Sequence, residues 1–155
     1  MGQCFGYPEN KSPVLDDVSP NISQLKFEDT IPFVLPLERC SAKVLKVYDG
    51  DTITIGFSLY GSLYRTQVRL LGIDTPELKG ATEEERAKAR AAKDALSELI
   101  LGKVVLLRNT KTKDKYGRLL ADLMLGEVFV NSYMLEEGFA RPYDGKTKSV
   151  WGSNF

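Results

Sequence analysis

The chain has 155 residues, 43% of them hydrophobic, which is enough for one domain with a sizeable core. Its 21 Lys and Arg balance 21 Asp and Glu, so a nucleic-acid partner would have to be attracted by local charge and not by the whole-chain field. With no histidine and only two cysteines, Ser-His-Asp triads, Cys-His pairs, HExxH sites and a cysteine-only zinc site are excluded, and catalysis is left to carboxylates, Arg, Lys and Tyr.

Pro8, Pro13, Pro20, Pro32 and Pro36 all fall within residues 1–41, a stretch in which acidic residues outnumber basic ones. Prolines at that density oppose a long helix or a central strand, so 1–41 is expected to be a largely extended N-terminal arm and 42–155 the folded domain. Within the arm, Ile31, Phe33, Val34, Leu35 and Leu37 are apolar enough to dock on that domain. The start Met1-Gly2-Gln3-Cys4 offers Gly2 for myristoylation and Cys4 for palmitoylation, the two-signal arrangement of a membrane-surface anchor. Position 6 is Gly, where Ser or Thr is preferred, and an unmodified start is the competing reading. No secretion signal or membrane-spanning stretch is visible, so the expected location is the cytoplasm, or a membrane surface if Gly2 and Cys4 are acylated.

From Ala42 the texture changes to short β-rich runs. Ala42–Tyr48 and Thr52–Phe57 read as a strand pair around the turn dipeptide Asp49-Gly50, and Tyr64–Leu71 as a third strand. In that strand Arg69 alternates with Val68 and Leu70 and so points away from the face they share. Thr82-Glu83-Glu84-Glu85 is a capping box that opens a helix, with Ala87, Ala91, Ala95 and Leu99 as an apolar stripe flanked by Ala92, Leu96 and Ile100, and with Gly102 as its C-terminal cap. Lys103–Arg108 and Leu119–Met124 follow as strands, then Asn131–Glu137 as a short helix. The sum is an α+β fold, mainly a β barrel: a five-stranded antiparallel barrel of the OB-fold type with a capping helix and a second short helix. Nothing forces a dimer, and a monomer is expected.

Three clusters carry chemistry. Asp51 in Asp49-Gly50-Asp51-Thr52 is not explained by the turn, and Asp74-Thr75-Pro76-Glu77 places two acids at a strand end beside a stiff proline. Oxygen ligands at Asp51 and Asp74 suit a hard cation, Ca²⁺ or Mg²⁺, although two acids around a proline turn are also common in solvated loops. Asp114-Lys115-Tyr116-Gly117-Arg118 is a tight basic turn suited to phosphate, lying in a segment that also holds Arg108, Lys111 and Lys113.

Together these motifs resemble the staphylococcal nuclease family. The resemblance runs from about Ala42 to Tyr143 through Asp49-Gly50-Asp51-Thr52, Arg69-Leu70-Leu71-Gly72-Ile73-Asp74-Thr75-Pro76-Glu77 and Asp114-Lys115-Tyr116-Gly117-Arg118, with Val130-Asn131 and Gly138-Phe139-Ala140 similar to the family's later helix. It implies an OB-fold barrel and a Ca²⁺-dependent phosphodiesterase that cuts DNA and RNA to leave 3′-phosphates. It also implies Asp51, Asp74 and the Thr75 carbonyl as calcium ligands, Glu77 as the residue that positions or deprotonates water, and Arg69 and Arg118 as phosphate clamps. Lys115 and Tyr116 would contact a flanking phosphate, and Tyr143 corresponds to a base-stacking tyrosine. After Tyr143 no helical stripe remains for the family's C-terminal helix, and the arm's Ile31 to Leu37 is the expected replacement cover. Two other readings stay open: a non-catalytic OB-type module binding single strands, and, through Glu77-Leu78-Lys79, a Mg²⁺-dependent restriction-like nuclease.

Overall fold

In the computed structural model the described residues are Lys26, Glu28, 37–111, 114–145 and Trp151. Gly2, Cys4, the apolar residues Ile31 to Leu35 and Lys113 lie outside them. The elements are β1 (Ser41–Val47), β2 (Thr52–Leu59), β3 (Ser62–Leu70), β4 (Ile73–Asp74), α1 (Glu83–Ile100), β5 (Val104–Lys111), β6 (Leu119–Leu125), β7 (Val128–Phe129), α2 (Val130–Glu136) and β8 (Arg141–Pro142). Five strands run β3-β2-β1-β5-β6, and a pairing of β3 with β6 closes the barrel. That closing pair is parallel, with Val68 opposite Leu119 and Leu70 opposite Ala121. The barrel is therefore the expected five-stranded OB-fold, but mixed and not purely antiparallel: the connection through α1 and β5 returns the chain to the barrel in the same direction as β3.

Alternation decides what faces inward. Val44, Ile53, Ile55, Val68, Leu107 and Leu123 fill the interior from five strands, and Leu96 and Ile100 of α1 and Met134 of α2 join the same core. Leu37, at the end of the expected arm, is fully buried in the same core. Its segment is tied down by Arg39 N donating to Leu107 O at 2.9 Å and by the Glu38 carboxylate accepting from Thr110 N at 2.8 Å.

The capped helix forms as its sequence demands. Thr82 Oγ1 accepts from Glu85 N at 3.1 Å and Glu85 Oε2 accepts from Ala81 N at 3.0 Å, so one free N–H of the first turn and one just before the cap are met. Gly102, with φ 75°, ends it. The buried face differs from the expected stripe: Ala89, Ala92, Leu96 and Ile100 point inward, while Ala87 and Ala91 are exposed. Alanine serves helix propensity on a wet face as readily as packing on a dry one, so the branched residues set the orientation.

Two turns also differ. The β2–β3 hairpin is longer than expected and ends in Tyr60–Gly61, whose φ angles of 51° and 77° make it the two-residue turn that favours glycine. Gly50, by contrast, has no positive φ, and the Asp49-Gly50 connection is held by Tyr48 N donating to Thr52 O at 2.8 Å. The two-residue strands β4, β7 and β8 are too short to leave a periodic signal.

Candidate active site

One end of the barrel gathers the start of β2, the end of β3, β4 and the turn before β6. Arg69 projects from β3 on the side opposite Val68 and Leu70 and is itself buried. Its Nη1 donates to Ile73 O at 3.0 Å and lies 2.9 Å from Asp51 Oδ2, while Nη2 lies 3.5 Å from Asp74 Oδ1. Asp51 Oδ2 also accepts from Thr75 N and Thr75 Oγ1, both at 3.1 Å, and Oδ1 accepts from Thr52 Oγ1 at 3.0 Å. Asp74, fully buried, meets Arg141 Nη2 at 2.9 Å through Oδ2. Two carboxylates and two guanidiniums thus share one buried cluster, each charge compensated as burial requires.

Burial still dominates Asp51. Desolvation pushes its carboxyl up to about 6, against the Arg69 guanidinium that pulls it down, and nearby Asp49 adds to the rise. Asp51 therefore holds its proton more tightly than an ordinary carboxyl, and anything that binds the ionised form competes with that proton.

The turn Asp114–Arg118 supplies the second wall. Asp114 Oδ1 accepts from the Tyr116 and Arg118 N–H groups at 2.9 and 3.0 Å, and Gly117, with φ 81°, lets the loop close. Burial raises the Asp114 carboxyl, but the backbone and side chain of Arg118 outweigh it and the net shift is downward. Arg118 is fixed at Nε by Asp114 Oδ2, 2.9 Å, and its Nη1 donates to Thr52 Oγ1 at 3.2 Å. Tyr116, exposed, lies under both Lys115 and Arg118, at 5.0 and 5.3 Å from its ring centre.

A single cleft is lined by Asp51, Arg69, Thr75, Glu77, Lys115, Tyr116, Arg118 and Tyr143. Glu77 is exposed at its edge after buried Pro76, and Tyr143 sits with its ring centre 5.9 Å from Arg69 Cζ. Asp74 does not line the cleft; it lies behind Arg69. Gly2 and Cys4 are outside the described residues.

An all-oxygen hard-cation site fits this geometry. One guanidinium contacts Asp51 and Asp74 together, so a single positive centre can be shared by both carboxylates. Among the described residues no three histidine, cysteine or acidic side chains cluster as a metal site, so the two carboxylates do not by themselves make a full donor set.

Sequence reasoning missed Thr52 and Arg141. Thr52 links the halves of the site by donating to Asp51 and accepting from Arg118. Arg141 has no local signal, since its partner Asp74 is 67 residues away.

Comparison with known proteins gives a consistent result. Residues 67–151 match the family described as staphylococcal nuclease homologue, more than half of the chain. The chain is 34% identical over 100 residues to a thermonuclease of Staphylococcus hyicus, covering 64% of this chain and 57% of that protein. It is 35% identical over 99 residues to a thermonuclease of Staphylococcus intermedius, covering 63% and 56%. It is 34% identical over 106 residues to an uncharacterized endonuclease of Haemophilus influenzae, covering 68% and 54%. The chain thus spans little more than half the length of these relatives.

Proposed function

Because the chain belongs to the staphylococcal nuclease homologue family, we propose that it is a nuclease that uses calcium to hydrolyse phosphodiester bonds of DNA and RNA, leaving 3′-phosphate ends. The observation that carries this reading is the convergence, in one cleft, of a buried acid, an exposed acid, two arginines and a basic turn. Family relatives whose names state thermonuclease or endonuclease support it.

Asp51, Asp74 and the Thr75 carbonyl would hold the cation, which when bound supplies Lewis-acid polarisation of a phosphoryl oxygen. Glu77, exposed at the cleft, suits the proton of an attacking water. Arg118, locked by Asp114 and Thr52, presents a planar donor to the equatorial oxygens, where charge grows as the attacking oxygen bonds to phosphorus. Arg69 supplies a second donor from the opposite wall. Lys115 and Tyr116 at the rim meet a neighbouring phosphate, and Tyr143 offers a ring for a base.

The test is cleavage of a fluorescent single-stranded DNA in Ca²⁺, in Mg²⁺ and in EGTA. Turnover in Ca²⁺ is expected, falling roughly 100-fold to 1,000-fold in Arg118→Ala and by about 100-fold or more in Glu77→Gln. Turnover only in Mg²⁺ would remove the calcium assignment, and salt-sensitive binding without turnover in any metal would remove the enzyme.

A further inference from the structure

Arg141 carries no role in the scheme above, yet its side chain is buried and held on two sides. Its Nη2 lies 2.9 Å from Asp74 Oδ2. Its guanidinium carbon sits 4.2 Å from the ring centre of Trp151, the chain's single tryptophan. The backbone sets the pairing: β4 and β8 place Asp74 directly opposite Arg141, and opposed residues of an antiparallel pair project to the same face.

We propose that Arg141 is a positioning residue for the cation site: it claims Oδ2 of Asp74 and so holds Oδ1 toward Asp51, while Trp151 fixes the plane of the guanidinium. The proposal rests on the reading of Asp51 and Asp74 as cation ligands. A carboxylate has two oxygens and one torsion that swings both. With Oδ2 occupied by Arg141 on one side, Oδ1 is the oxygen that faces Arg69 Nη2 at 3.5 Å and, through it, Asp51. Burial calls for a compensating charge at Asp74, and Arg69 Nη2 at 3.5 Å already supplies part of it. Partners that orient a metal ligand change metal affinity 10-fold to 100-fold when removed.

The sign of the effect separates orientation from charge. Removing a positive group near a cation site strengthens cation binding by Coulomb's law. Weaker binding after loss of Arg141 therefore reports lost orientation.

The experiment is a calorimetric Ca²⁺ titration of the full chain and of Arg141→Met, Arg141→Lys and Trp151→Leu, with turnover followed against Ca²⁺ concentration. Expected is a calcium dissociation constant raised about 10-fold to 100-fold in Arg141→Met, and only partly restored in Arg141→Lys, which keeps the charge but has no planar guanidinium for Trp151 to fix. Trp151→Leu, which keeps the ion pair but frees the guanidinium plane, is expected to fall between wild type and Arg141→Met, and it serves as the deciding variant should Arg141→Met not fold. In each variant kcat at saturating Ca²⁺ recovers toward wild type. Unchanged or tighter calcium binding in Trp151→Leu and in the folded Arg141 variants overturns the positioning role while leaving the calcium reading intact. A wild-type protein that binds no Ca²⁺ overturns both.

Discussion

Gly50 tests how the site is held against the barrel. Its φ needs no glycine, so a Gly50→Ala substitution probes space alone. A Cβ there would lie 2.8 Å from the Ala92 Cβ in α1 and 2.8 Å from Thr75 Cγ2, where ordinary contact begins at 3.4 Å. Neither neighbour can yield by rotating: Ala92 has no rotamer, and Thr75 is held by two hydrogen bonds to Asp51. The connection before β2 and helix α1 must therefore separate, at the 1–3 kcal/mol or so that overpacking of a tight interior costs. Gly56→Ala is the control. Its Cβ would meet Leu45 Cδ1 at 3.0 Å, but Leu45 is half exposed and can swing aside, so the cost is expected to stay below about 1 kcal/mol. Urea denaturation at matched m-values measures both. A Gly50→Ala variant within about 0.5 kcal/mol of wild type, or a Gly56→Ala variant that costs as much, would refute the steric argument.

Leu37→Ala should remove about 2–5 kcal/mol by opening a cavity in the barrel core; a loss under 1 kcal/mol would mean that Leu37 is not a working part of it. The pH dependence follows from Asp51, whose carboxyl in the folded protein lies near 6 against 3.8 for the ordinary group. A raised value means that the protonated form favours folding: the contribution is complete below about 3.8, is lost as pH rises through about 6, and amounts to at most about 3 kcal/mol. In chelator, wild type should therefore lose stability relative to Asp51→Asn between about pH 4 and pH 6, and parallel curves of melting temperature against pH would remove burial as the cause.

Signals that lie within a few residues were legible. The Thr82–Glu85 box starts a real helix, the alternation around Arg69 predicts its direction, and Asp114 to Arg118 is the turn that its glycine and its Asp imply. What failed depends on distant neighbours. A glycine kept for space at Gly50 reads the same as one kept for conformation, and only Ala92 and Thr75 distinguish the two. Alanines at 87 and 91 mimic a buried stripe until the larger Leu96 and Ile100 choose the face. Arg141 carried no signal because the strand that pairs it with Asp74 is two residues long.

The parallel pairing of β3 with β6 is also the step that builds the site. Arg69 stands opposite Leu120 across that pair and opposite Thr52 across the β2–β3 pair, so the residues before β6 and at the start of β2 arrive beside it together. Arg118 then reaches Thr52 across 66 residues of sequence, and Thr75 reaches Asp51 across 24. Each of these contacts is non-local, so none forms in a segment of the chain on its own. Catalytic competence should accordingly depend on barrel closure and not on any single strand or turn. A local opening of the β3–β6 seam would separate the two arginines while most of the core stayed packed, and activity would be lost before the fold.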